Sequence, residues 1–240
     1  GLLMKIALIG YGKMGKAIEP IAKERGHEIV LRATCVEELD TKSVSNADVA
    51  IEFTNPESAL SNIQYCFEAG TPVIVGTTGW YHNYEEVKGL LNHYNGAMLT
   101  ATNFSLGVNI FLEINTRLAE LMQHQKQYDV KVTETHHTEK LDAPSGTAIT
   151  IGEGIIDVLS RKVKWSAELT DDTESLDIQS LREPNVPGTH QVTYQSEIDK
   201  IRIEHVAHNR KGFAIGAVIA AEFMHNKTGI YTMKDVLKLS

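Results

Sequence analysis

Short apolar runs and stretches of helical spacing alternate over the first hundred residues. The apolar runs 5–9, 28–33, 48–53, 72–75 and 97–101 are predicted strands, and helices are predicted over 13–25, 55–69 and 84–93. Asn55 and Pro56 provide an N-cap and a first-turn proline for the second of these helices. Strands that are apolar on both faces and alternate with helices indicate an α/β fold with a parallel, Rossmann-like sheet covered on both sides.

The pattern changes near residue 104. Helical spacing covers 105–123 and 148–159, an alternating strand covers 128–135, and a polar stretch over 160–172 is a predicted loop. Strands are predicted over 176–181, 190–195 and 201–206, and helices over 213–223 and 233–239. We therefore expect two domains: residues 1–104 with 216–240, and an α+β domain of residues 105–215 with a mainly antiparallel sheet.

A glycine motif opens the chain. IALIGYGKMGKAIE, residues 6–19, carries G-x-G-x-x-G between the first predicted strand and the first predicted helix. Gly10 allows a tight turn, Gly12 lets a pyrophosphate approach the backbone, and Gly15 lets the helix pack closely on the strand. Glycine turns also join strands to helices for structural reasons alone, but the surrounding alternation favours a bound dinucleotide. Two later loops, 76–80 and 101–107, follow predicted strands at the same edge and could embrace a nicotinamide ring.

The acidic residue that usually binds the ribose is missing. About 20 residues after the motif stands Thr34, with Arg32 nearby and Glu37 and Glu38 only later. The sequence therefore does not decide between NADH and NADPH.

The net charge of −8 argues against nucleic acids and anionic membrane surfaces as partners, because both need a basic face. No apolar run approaches the roughly 18 residues of a spanning helix, and no signal peptide pattern is present. Cys35 and Cys66 lack metal-type spacing and are expected to be reduced, buried thiols. We expect a soluble, cytoplasmic protein.

ETHHTEKLDAPSGTA, residues 134–148, concentrates titratable side chains before a predicted helix. Adjacent histidines at a strand end point to opposite faces, and no further ligands stand at paired spacing, so no metal site is expected. An imidazole suits proton transfer near neutral pH, and Lys140 offers a positive charge for a carboxylate. The turn 145–147 presents backbone N–H groups to an anion. A solvated, capped loop would explain any one of these residues, but together they predict a carboxylate pocket with an acid/base beside it.

This segment closely resembles the signature of the 4-hydroxy-tetrahydrodipicolinate reductase (dihydrodipicolinate reductase) family, of the diaminopimelate route to lysine. Similar motifs extend over nearly the whole chain: GYGKMG, IEFTNPESA, VIVGTTGW, ATNFSLGVN, VPGTHQV, HNRKGFAIGAV and GIYTMKDVL. The resemblance implies hydride transfer from NADH or NADPH to C4 of a cyclic dicarboxylate, with loss of water. It also implies a homotetramer built through the sheet of residues 105–215, the domain that binds substrate.

Particular roles follow from the resemblance at matching positions. His136 is implied as the proton donor or acceptor, and Lys140 as its partner and a carboxylate ligand. His137, Gly146 and Thr147 are implied as the rest of the substrate site. The implied cofactor contacts are Gly10, Tyr11, Gly12, Lys13, Met14 and Gly15, then Gly76, Thr77 and Thr78, then Ala101, Thr102, Asn103 and Phe104.

His205 and Arg210 are weaker candidates, since Arg210 could hold an anion or form a structural salt bridge. Two other functions compete with the reductase. One is a different two-domain dehydrogenase of a small carboxylic acid, and the other is a dinucleotide-sensing regulatory module. Multiple turnover of cofactor with the cyclic dicarboxylate separates the three.

Overall fold

The computed structural model describes residues 2–34 and 39–239. Cys35, Glu37 and Glu38 lie outside the described residues, whereas Cys66 is a buried free thiol. The chain divides into two compact units, residues 1–106 with 211–240, and residues 107–210.

The elements up to residue 100 are, in chain order, β1 (Lys5–Ile9), α1 (Lys13–Glu24), β2 (Glu28–Ala33), α2 (Thr41–Ser45), β3 (Val49–Glu52), α3 (Pro56–Ala69), β4 (Val73–Val75), α4 (Tyr84–Tyr94) and β5 (Ala97–Thr100). The later elements are α5 (Leu106–Met122), β6 (Asp129–His136), α6 (Gly146–Val158), β7 (Lys164–Ser166), β8 (Ser175–Arg182), β9 (Gly188–Gln195), β10 (Lys200–Ala207), α7 (Lys211–Met224), β11 (Gly229–Tyr231) and α8 (Met233–Leu237). A short 3-10 turn, Tyr81–Asn83, precedes α4.

The first unit is built on a parallel sheet with the strand order β11-β5-β4-β3-β1-β2. β1 pairs with both β2 and β3, so the chain reverses direction across the sheet at β1. Ligands of doubly wound sheets bind at such a switch point, beyond the carboxyl ends of the strands. The central strands β1, β3 and β4 are almost entirely buried, and apolar clusters lie on either side of the sheet.

The second unit is a mixed sheet with the strand order β10-β9-β6-β8-β7. β10, β9 and β6 pair antiparallel, whereas β8 joins β6 in parallel and β7 joins β8 in parallel. Alternate residues of β6, β8 and β9 point into an apolar cluster that also contains side chains of α5 and α6. The predicted fold class, a Rossmann-like sheet followed by an α+β region, is confirmed.

Some short elements differ from the sequence predictions. The predicted loop over 160–172 contains β7, and α2, β11 and the 3-10 turn were not predicted. Each spans only three to five residues, too few to show a hydrophobic period, and β7 and β11 form because a neighbouring strand offers them partners. Over the described residues, no helix is long and apolar enough to cross a membrane.

Candidate functional site

The loop between β1 and α1 carries the three glycines of the motif, and each meets different surroundings. Gly10 has a φ of +98°, and a Cβ there would lie 1.9 Å from the Phe53 carbonyl oxygen. A Cβ on Gly15 would lie 2.5 Å from the Gly10 carbonyl oxygen, so glycine lets α1 close on the turn. A Cβ on Gly12 would meet no atom within 4 Å. The protein's own packing therefore does not require glycine at position 12, whereas a ligand against the backbone would.

The N-terminus of α1 is open to an anion. Gly12 is its N-cap, no side chain caps it, and its first turn contains no acidic residue. The first-turn N–H groups thus have no intrahelical acceptor and sit at the positive end of the helix dipole. They border a cavity of about 440 Å³ that is lined by Gly12, Lys13, Met14, Gly15, Phe53, Thr54, Pro56, Gly76, Thr77 and Thr78. The residues present fit a nicotinamide dinucleotide's pyrophosphate at this loop.

A buried carboxylate fixes two of the loops that line this cavity. Glu52, at the end of β3, is fully buried and accepts hydrogen bonds from Thr54 Oγ1 at 2.6 Å, Thr77 Oγ1 at 2.5 Å and Asn62 Nδ2 at 3.0 Å. Thr77 Oγ1 also accepts the Thr54 backbone N–H at 2.8 Å. Burial raises the pKa of the Glu52 carboxyl, and the hydrogen bonds from these three side chains oppose that rise. The loops after β3 and β4 are thereby tied together.

Gly76 and Trp80 complete the loop after β4. A Cβ on Gly76 would lie 1.8 Å from the Phe53 ring, so only glycine lets the ring cover this turn. Trp80 is fully buried and donates its indole N–H to the Thr77 carbonyl at 2.7 Å. Packing and hydrogen bonding within the protein therefore fix the conformation of the GTTGW loop.

The remaining predicted cofactor residues lie outside the cavity lining. Gly10 borders a smaller cavity of about 70 Å³ with Thr34. Tyr11 donates its hydroxyl to Glu19 at 2.9 Å. In the loop 101–104, Thr102 is exposed and Ala101 and Asn103 are half-buried. Phe104 is fully buried in the core, so any contact of Phe104 with a cofactor would use its backbone.

A second buried carboxylate, Glu134, lies in β6 of the other unit. Its oxygens accept the Ser145 backbone N–H at 3.0 and 3.2 Å, the Ser145 hydroxyl, and the Ser180 hydroxyl at 3.0 Å. His190 Nε2 and His136 Nδ1 both lie 3.6 Å from Oε2. Burial by itself raises the pKa of Glu134, but the hydrogen-bond donors outweigh it and lower this pKa to about 2.

His136 is the last residue of β6 and is mostly buried, with 8% of its surface exposed. Burial lowers the pKa of His136 to about 4, and the negative charge of Glu134 opposes this fall. Its Nδ1 is buried without a hydrogen-bond partner. A Cβ on Gly188 would lie 3.1 Å from its Nε2, so that glycine keeps space beside the ring. In the substrate-free chain at neutral pH, His136 is therefore uncharged beside an ionised carboxylate.

The loop after β6 carries Lys140. Its Nζ pairs with Asp142 at 3.0 Å, and the Lys140 side chain is 24% exposed. Arg182, at the end of β8, donates to the carbonyl oxygens of Lys140 at 3.3 Å and Asp142 at 2.7 Å. Lys140 is thus a partly exposed cation on a loop whose backbone an arginine holds.

His137 follows the last residue of β6 and is half-buried. Its Nε2 accepts a hydrogen bond from Arg210 at 3.2 Å, because a guanidinium can only donate. Both border a groove of about 620 Å³, lined by His137, Thr138, Glu139, Pro184, Asn185, Val186, Pro187, His208, Asn209 and Arg210. The contact found for Arg210 is therefore with an imidazole in a groove and not with a carboxylate.

Helix α6 begins directly after the cluster. Ser145 is its N-cap and accepts the Ala148 N–H at 3.1 Å. Gly146 and Thr147 occupy the first turn, where the N–H groups have no intrahelical acceptor. A Cβ on Gly146 would meet nothing within 4 Å, the same situation as at Gly12. The turn is open to an anionic group.

Glu134, His136 and His190 have ligand-type atoms within 4.8 Å of one another, a spacing that a metal ion could use. Ser145 and Ser180 already donate to both oxygens of the carboxylate. Hydrogen bonds therefore compensate the buried carboxylate of this cluster.

Sequence reasoning gave no role to Glu52, Glu134, Arg182 and His190. A signal existed for Glu134 and His190, because both stand where their alternating strands otherwise place apolar residues toward the core. His205 pairs with His190 across β9 and β10 and packs against Phe111. Arg182 gave no such signal, because its contacts are to groups distant in sequence: two loop carbonyl oxygens and Glu134 Oε1, which lies 3.7 Å from Arg182 Nη1.

Comparisons with known proteins agree over nearly all of the chain. Residues 4–104 match the family model described as dihydrodipicolinate reductase, N-terminus, and residues 107–237 match the model of its C-terminus. A 4-hydroxy-tetrahydrodipicolinate reductase of Christiangramia forsetii is 48% identical over 98% of both chains. The enzyme of the same name from Alkaliphilus oremlandii is 33% identical over 95% of both chains.

A solved structure shares the fold. The dipicolinate-bound dihydrodipicolinate reductase from Paenisporosarcina sp. TG-14 superposes with a TM-score of 0.80, covering 96% of this chain and 98% of that one at 21% identity. The chain therefore belongs to the dihydrodipicolinate reductase family, oxidoreductases that carry out a reduction in lysine biosynthesis.

Proposed function

We propose that this chain reduces 4-hydroxy-tetrahydrodipicolinate to tetrahydrodipicolinate with loss of water, using NADH or NADPH. The observation that supports this most strongly is the shared carboxylate of Glu134. It lies 3.6 Å from His136 and holds Ser145 at the N-terminus of α6. The proposed acid/base and the proposed anion-binding turn are thereby both positioned by one group, an arrangement that suits a dicarboxylate substrate.

The cofactor site is proposed at the glycine loop. The open backbone at Gly12 and the uncapped first turn of α1 would hold the pyrophosphate. The loops 76–78 and 101–104, at the ends of β4 and β5, are proposed to contact the rest of the dinucleotide. When bound, the nicotinamide supplies the hydride.

The chain's own residues are proposed to bind the substrate and to supply one proton. Hydride replaces the C4 hydroxyl, which leaves as water, so the balance requires one proton, and His136 is the proposed donor. Lys140, His137, Gly146 and Thr147 would hold the two carboxylates. Those carboxylates would raise the pKa of His136 from its low value in the free chain, because they favour the imidazolium.

The assembly and location are proposals as well. We propose a cytoplasmic homotetramer, with residues 1–104 and 216–240 binding cofactor and residues 105–215 binding substrate and holding the assembly. The net charge of −8 gives no support to nucleic-acid binding.

Steady-state turnover with both cofactors tests the proposed function. Thr34 offers no carboxylate to repel a 2′-phosphate, and the nearby Arg32 is already paired with Glu19 at 2.5 Å. We expect both cofactors to work, with kcat/KM values within about tenfold of each other. Cofactor binding without consumption would identify a sensing module, and turnover only with another carboxylic acid would identify the rival dehydrogenase. A preference for NADH of several hundredfold would show that an acid near Thr34 takes over the ribose contact.

Gly12→Val tests the glycine loop. A side chain there meets no protein atom, so the circular dichroism spectrum should not change, while the pyrophosphate would be displaced and cofactor binding lost in calorimetry. Gly89→Val is the matched control, since Gly89 is an exposed glycine of α4 that also has open space at its Cβ. Equal cofactor affinity in the two variants would contradict the proposed site.

His136→Gln and Lys140→Ala separate proton transfer from binding. His136→Gln should lower kcat by roughly 10²–10⁴ with little change in KM, the usual range for a lost general acid. Lys140→Ala should raise KM and also slow turnover, because it removes a cation proposed to bind a carboxylate. Lys140→Arg should fail as well if a compact ammonium is needed. Full kcat and an unaltered pH profile in His136→Gln would exclude His136 as the donor.

A further inference from the structure

We propose that Glu134 is a positioning residue for this reaction, an inference that rests on the proposed function. Its single buried carboxylate orients the anion-binding turn of α6 and at the same time favours the protonated form of His136. Two independent sets of contacts support it, one to Ser145 and one to the imidazole.

The burial of the Glu134 carboxylate is energetically costly. Val130, Val132, Glu134 and His136 alternate on the buried face of β6, and the Glu134 side chain is fully buried. An ionised carboxylate at such a position destabilises a fold unless donors replace the lost water. Ser145 and Ser180 supply those donors, and Arg182 Nη1 and His190 Nε2 lie 3.7 and 3.6 Å from its oxygens, so the charge is retained inside the unit. An apolar residue would suit the strand better, which indicates that the charge serves the site.

The first set of contacts fixes the turn. Glu134 accepts both the backbone N–H and the hydroxyl of Ser145, and the Ser145 oxygen in turn accepts the Ala148 N–H. The backbone N–H and the side chain of the N-cap residue are thus both bound to one carboxylate on β6. The directions of the Gly146 and Thr147 amides, which follow Ser145, depend on that anchor.

The second set of contacts concerns the charge beside His136. His190 from β9, Arg182 from β8 and Lys140 from the following loop each lower the pKa of His136, in addition to burial. Glu134 is the anion that opposes them, with its Oε2 3.6 Å from the partnerless Nδ1. An approach of about 0.8 Å would complete a charge-assisted hydrogen bond and stabilise the imidazolium. Nε2, beside Gly188, remains the nitrogen for proton exchange.

Glu134→Gln tests the charge while keeping the size of the side chain. Removing the anion lowers the pKa of His136, and a proton donor loses activity as pH rises through its pKa. The descending limb of the kcat profile should therefore move to lower pH by roughly 1–3 units. Independently of turnover, the imidazole NMR signals of wild-type His136 should begin to shift as the pH approaches about 5, since its pKa is about 4. In the variant they should stay constant to lower pH.

Glu183→Gln is the control, because Glu183 is an exposed carboxylate next to the end of β8 and should leave both readouts unchanged. Glu134→Asp keeps the charge but withdraws it from Ser145, so KM for the dicarboxylate should rise, while the pH limb should move less than in Glu134→Gln. If Glu134→Gln does not fold, Glu134→Asp tests the proposal in its place. A wild-type KM in Glu134→Asp would overturn the proposal.

A wild-type pH limb and wild-type NMR titration in Glu134→Gln would also overturn it. If the wild-type chain shows no turnover, the proposed function fails, and the NMR titration alone then decides the role of Glu134.

Discussion

The structure of the second unit, residues 107–210, depends on the groups that compensate a buried carboxylate. The Glu134 side chain is fully buried. Hydrogen bonds of about 3 Å or shorter from Ser145 and Ser180 replace its hydration. Because these donors come from α6 and β8, the carboxylate joins three elements at one point. His136 lies at the same point, so the compensation of this one charge sets both the geometry of the proposed anion-binding turn and the electrostatics of the proposed proton donor.

A buried carboxyl group also holds loops together in the first unit, residues 1–106 with 211–240. Glu52 ends β3 as Glu134 nearly ends β6, and each is fully buried among hydroxyl and amide donors. The donors to Glu52 come from the loops after β3 and β4 and from α3, so one buried carboxyl group ties together the walls of the 440 Å³ cavity. In both units the loops that we propose to contact a ligand are thus tied together by a buried carboxyl group.

The sequence was informative wherever the signal was local. The period of 2 or 3.6 located the long elements, and the glycine spacing located the loop in which Gly12 proves to have open space at its Cβ. It could not give the order β10-β9-β6-β8-β7, since pairing between distant strands leaves no local pattern. For the same reason His190 and Arg182 were missed, because each reaches the site from a strand distant in sequence from the histidine motif. The residues after Thr34 that bear on cofactor preference lie outside the described chain.

The most direct test of the account is an amide and imidazole NMR titration of the full chain, saturated with NADH, with pyridine-2,6-dicarboxylate. This probe carries two carboxylates on a ring and cannot be reduced in the proposed manner. The account predicts saturable binding, with the largest shifts at the Gly146 and Thr147 amides and at the His136 and His137 rings. Saturable binding with its largest shifts outside residues 134–147, or no binding at all, would contradict it.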